Sequence, residues 1–184
     1  ILFPLLTLLL LGCFSSCVST SPTRTAGPEN TVMLHWLSSD QEGLVRSTGN
    51  DGNASRDAKL FTGKAIETFE QSPTKSVSSW QNGKKHGETV EFFYNGRKRR
   101  SINYRHGSRH GLSSEYRITG ELLREETFEN GKLNGPKTEW HPNGQKILEI
   151  VMRNGSPHGE ANEWYLDGTQ KSSTIYRHGL REGP

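Results

Sequence analysis

Cysteine is almost absent: the 184 residues contain two, Cys13 and Cys17, and none beyond them. No disulfide framework can therefore brace the chain after residue 17. Hydrophobic residues make up only 30%, too few for a thick core. Long apolar runs are missing as well. The longest, Leu5 to Leu11, is interrupted at Thr7 and falls short of the roughly 20 residues that a membrane helix needs. There is no phosphate-binding Gly-x-x-x-x-Gly-Lys loop, no Gly-x-Ser-x-Gly elbow and no Cys-x-x-Cys pair, so the sequence carries none of these nucleotide, hydrolase or redox signatures.

What is abundant is glycine, 20 residues, and from Lys59 onward its placement is periodic. Gly63, Gly87, Gly111, Gly135, Gly159 and Gly183 are 24 apart. So are Gly83, Gly107, Gly131, Gly155 and Gly179, and so are Gly96, Gly120, Gly144 and Gly168. A fixed period of this length is the signature of a repeat architecture. Other columns keep step. Glu67, Glu91, Glu115, Glu139 and Glu163 stand four residues after the first-series glycine. Phe92, Tyr116, Trp140 and Trp164 follow them, and Trp80, Tyr104, Phe128, Met152 and Tyr176 come further along. Repeat one has Thr68 and Ser72 in place of the aromatic and the third-series glycine, as an atypical capping repeat would.

Asn95-Gly96, Asn143-Gly144 and Asp167-Gly168 predict tight hairpin turns with positive φ at both residues, with Thr119-Gly120 as the exception. The second-series sites, beginning at Asn82-Gly83, predict the longer turn of about five residues that leads to the next hairpin. Alternation predicts Val90, Phe92 and Tyr94 on one face and the Glu column on the other. One apolar face per hairpin is too little in isolation, so the hairpins are expected to stack side by side. The expected fold is all-β: an elongated, single-layer antiparallel sheet of 24-residue hairpins over residues 59–184, five repeats and the start of a sixth.

The pattern, as in Trp80-Gln81-Asn82-Gly83-Lys84-Lys85-His86-Gly87, resembles the bacterial variant of the MORN (membrane occupation and recognition nexus) repeat. That resemblance implies a twisted single-layer sheet and protein- or membrane-binding roles, and it brings no catalytic residues. Members often carry the label antitoxin component. Upstream, Leu10-Leu11-Gly12-Cys13 resembles a lipoprotein box. Phe14-Ser15-Ser16-Cys17 is the second candidate, and an ordinary signal peptide is the alternative. Residues 1–17 are thus expected to be an N-terminally truncated export signal lipidated at Cys13 or Cys17. Residues 18–58, rich in Ser, Thr, Gly, Asn and Asp, are expected to be a flexible linker. Within that linker the apolar island Val32-Met33-Leu34-His35-Trp36-Leu37 is either an extra strand docked on the array or a partner-binding segment.

Charge is uneven. From residue 59 there are 20 Lys and Arg against 15 Asp and Glu. Residues 87–110 alone hold Arg97, Lys98, Arg99, Arg100, Arg105 and Arg109 against Glu88 and Glu91. This cluster is the candidate contact for an acidic protein or an anionic membrane surface. Alternation places Arg97 and Arg99 on one face, with Lys98 and Arg100 on the other. Equivalent Glu or His residues of successive repeats are two strands apart, roughly 9.5 Å. That spacing argues against shared catalysis by the Glu column and against a metal held by His86, His110 and His158. His106 and His110 share a loop within reach of each other, but His106 and His178 are expected to be turn residues, since His tolerates positive φ. The expected function is a non-catalytic binding or scaffold module of the bacterial envelope, with no cofactor, metal or nucleic acid. The alternative is an antitoxin that binds its toxin directly.

Overall fold

The computed structural model describes residues 31–47, 59–70 and 73–182. Cys13, Cys17 and most of the expected linker lie outside these residues. The rest is all-β. A 12-stranded sheet has the order β1 (Thr31–Met33), then β4-β5-β6-β7-β8-β9-β10-β11-β12-β13-β14, so each strand from β5 to β13 pairs with both of its sequence neighbours. The strands after β1 are β4 (Gly63–Thr68), β5 (Thr74–Gln81), β6 (Lys84–Phe92), β7 (Lys98–Arg105), β8 (Ser108–Tyr116), β9 (Leu122–Glu129), β10 (Lys132–Trp140), β11 (Lys146–Arg153), β12 (Ser156–Trp164), β13 (Gln170–Arg177) and β14 (Leu180–Glu182). All of those pairings are antiparallel, and each repeat is one hairpin of a single layer.

The two turns exchange the roles that the sequence suggests. The second-series sites are the tight ones: Gln81 pairs with Lys84 and Arg105 with Ser108, leaving two residues between them. Both of those residues have positive φ, as at Asn82 (49°) with Gly83 (73°) and His106 (51°) with Gly107 (88°). The third-series turns are longer. Gly96 N–H donates to the Phe93 carbonyl at 2.9 Å and Phe93 N–H to the Arg97 carbonyl at 2.8 Å. Here only the glycine takes positive φ, and Asn95 instead accepts the Arg97 N–H on its side chain at 3.1 Å. Asn-Gly is compatible with either turn, so the dipeptide alone does not decide between them. Thr119-Gly120 makes the same turn as the others, since the residue before this glycine needs no positive φ.

Repeats are stitched together by backbone bonds. The N–H groups of Gly107, Gly131, Gly155 and Gly179 donate to the carbonyls of Lys85, Arg109, Leu133 and Pro157, each 22 residues earlier, at 2.7–3.0 Å. Cross-strand partners share a face, as do residues two apart along a strand. One face therefore carries three rows. The middle row includes the buried Ala65, Thr89, Ile102, Ile150 and Ala161. To one side lies the column Trp80, Tyr104, Phe128, Met152 and Tyr176, each register partner to a first-series glycine. To the other side lies the Glu column.

Residues 31–47, placed by sequence within a flexible linker, are structured instead. β1 (Thr31–Met33) adds in parallel to β4, a 3-10 turn spans Leu34–Trp36, and β2 (Leu37–Ser39) pairs with β3 (Val45–Ser47). The apolar island is thus a docked strand. Val32, Phe61 and Ala65 form a buried cluster, with Leu34, Trp36, Leu37, Val45 and Trp80 packed against it. Composition points to a tether because the polar residues outnumber this one island; burying the island and covering the β4 edge outweighs the ordering cost.

Candidate functional site

The six cations that sequence groups together occupy opposite long edges of the sheet. Arg97 to Arg100 lie at the third-series turn, where β7 begins; Arg105 and Arg109 flank the tight turn at its other end. Seven residue steps at about 3.3 Å separate Lys98 from Arg105. Each group also has its own local engagement. Arg100 Nη2 is 3.0 Å from Glu91 Oε1. Arg97 donates to the Thr119 carbonyl. The Arg109 guanidinium lies 5.2 Å from the Phe128 ring centroid. A register shift between Glu91 and Phe92 makes Arg99 the extra residue of a bulge. Strict alternation fails there: Arg99, Phe92 and Glu91 line one cavity, so Arg99 and Phe92 do not face away from the Glu column.

That column is a paired ladder. Glu67 meets Lys75 at 2.8 Å, Glu91 meets Arg100 at 3.0 Å, Glu115 meets Arg124 at 2.6 Å, Glu139 meets Lys137 at 3.1 Å and Glu163 meets Lys171 at 3.0 Å. Repeat four is the informative case. Leu148 stands where repeats two and three have Arg100 and Arg124, and Lys137 supplies the cation from the repeat position that is Ala65, Thr89, Ser113 and Ala161 elsewhere. Burial pulls the Arg124 pKa down, and the hydrogen bond to Glu115 with the charges of Glu126, Glu115 and Glu139 more than offsets it, leaving it raised. Each glutamate of the column is thus held in a part-exposed ion pair.

The histidines expected at turns are found there. His106 also meets His86 of the preceding repeat, with ring centroids 5.1 Å apart. His158 and His178 repeat the arrangement at 5.8 Å. His106 and His178 are turn residues, with φ of 51° and 54°. Among the described residues no group of three His, Cys, Asp or Glu side chains is placed to hold a metal.

Two surface features escape a reading by motif. The first is a row at the third-series turns: Tyr94, Ile118, Pro142 and Leu166, one in each of repeats two to five and all exposed. Tyr94, Ile118 and Leu166 are 66%, 58% and 56% accessible. Their 24-residue spacing is visible in the sequence, but nothing there shows that the position leaves the sheet. The second is a cavity of about 270 Å³ between the N-terminal cap and the first two repeats. No protein-family model and no curated protein matches the chain.

Proposed function

We propose that this chain is a non-catalytic binding module, akin to the MORN-repeat variants, held at the bacterial envelope through Cys13 or Cys17 and presenting the third-series turn edge to an anionic partner surface. The apolar row Tyr94, Ile118, Pro142 and Leu166 carries this reading. A sheet edge in contact only with water has no use for exposed apolar side chains at one position of four successive repeats, and aligned exposed apolar groups mark interaction sites. Arg97 and Lys98 flank the row in repeat two and supply charge complementarity for lipid phosphates or an acidic protein. The pairing of each ladder glutamate with a cation favours recognition over catalysis.

The test compares the array, residues 31–184, on vesicles with and without phosphatidylglycerol and on envelope extract. Replacing Tyr94, Ile118 and Leu166 with Ser is expected to abolish binding. Replacing Arg97 and Lys98 with Ser is expected to weaken it by about 1 kcal/mol per charge on an anionic membrane, whereas Lys132 and Lys84 changed likewise leave it intact. Equal losses in both charge variants, or no binding by the parent, contradict the reading. Retention of fatty-acid label by full-length protein, lost on Cys13→Ala or Cys17→Ala, tests the anchor.

A further inference from the structure

We propose that the cavity beneath the N-terminal cap is a small-ligand site for an acidic saccharide, a hydroxylated ring bearing one carboxylate. It lies on the glutamate face and does not involve the turn-edge row, so it stands or falls separately from the function proposed above.

Leu34, from the 31–47 segment that docks on β4, lines the cavity together with residues of the first two repeats. Its volume, about 270 Å³, lies just below the roughly 300–1,000 Å³ of sites for larger ligands, which suits one ring. Trp80 and Phe92 give it aromatic walls, against which the C–H face of a sugar ring packs.

The polar groups select the ligand further. Thr89 lines the cavity with a side chain that is almost wholly buried. Most lining cations are already engaged. Lys75 pairs with Glu67, and the Lys85 ammonium sits 5.0 Å from the Tyr104 ring centroid and 5.8 Å from that of Trp80. Arg99 is the exception, with no carboxylate partner among the described residues, and its planar guanidinium suits a bidentate carboxylate. Glu67 and Glu91 accept only, so their remaining lone pairs call for ligand hydroxyl donors. An aromatic acid would serve Arg99 and the rings but leave the carboxylates without donors; a neutral sugar would leave Arg99 unpaired. A sugar acid serves all of them.

The experiment is saturation-transfer NMR and titration of the full chain with D-glucuronate, D-glucose and benzoate. D-glucuronate is expected to bind with glucose and benzoate clearly weaker. Arg99→Gln is expected to weaken it about tenfold, the scale of one lost hydrogen bond to a charged group. Lys132→Gln should leave it unchanged. An unaltered far-ultraviolet circular dichroism spectrum separates loss of site from loss of fold. No transfer to glucuronate, equal binding of benzoate, or an equal loss in Lys132→Gln would overturn the assignment.

Discussion

Turn residues show most directly how single positions set this fold. Asn82, Asn130 and Asn154 share the left-handed conformation with His106 and His178, and Asn and His are among the non-glycine residues that tolerate it best. His106→Asn is therefore expected to change stability by less than about 0.5 kcal/mol. Gly144 has φ of 84° and open space where a side chain would sit. Gly144→Ala should cost about 1–2 kcal/mol through backbone strain alone, read as a lower urea midpoint. Gly135→Ala should cost more, because its added carbon would lie 3.1 Å from Thr127 Cβ. The positions of all these turns were legible in the sequence. Which turn was tight was not, because Asn-Gly serves both, and the choice falls to how many residues the flanking strands leave unpaired.

At the scale of elements, each glutamate of the ladder has a cation, but the cation's position wanders along the strand. Lys137→Ala should strip Glu139 of its partner and lower stability by about 0.5–1 kcal/mol, modest because the pair is part-exposed. Adding Leu148→Arg should recover that loss, since it recreates the arrangement of Arg100 and Arg124; no recovery in the unfolding midpoint would contradict the ladder logic. The cap adds a pH-sensitive contact. The Arg46 side chain, then the Leu44 N–H, hydrogen-bond the Asp40 carboxylate and hold its pKa below the ordinary 3.8. A depressed carboxylate pKa stabilises above the unfolded value and is lost as pH falls through the folded one. Protection of the Val45 amide, which donates to the Gly83 carbonyl, should thus fall as pH drops below about 3.8, and Asp40→Asn should remove that dependence. The cap itself was only half legible. The apolar island stood out, but its docking on β4 is a long-range pairing that no local pattern encodes, and the cavity under it was hidden for the same reason.

The whole molecule is close to one-dimensional: each hairpin touches its neighbours, and stability is a sum of repeat and interface terms. Phe128, 7% exposed in the middle of the array, should therefore matter more than the half-buried Trp164, with Phe128→Ala costing about 3 kcal/mol or more. Periodic glycines made this architecture readable without any core, because the fold is specified repeat by repeat. Rows of side chains were readable only up to each bulge, where Arg99 and Phe92 leave the alternation. The account rests on the stacking of hairpins through the tight turns, where a glycine N–H of one repeat donates to a carbonyl of the repeat before. Amide hydrogen exchange tests it directly: Gly107, Gly131 and Gly155 should all exchange slowly, in step at 24-residue intervals, while exchange at those three glycines as fast as in the unfolded chain would contradict it.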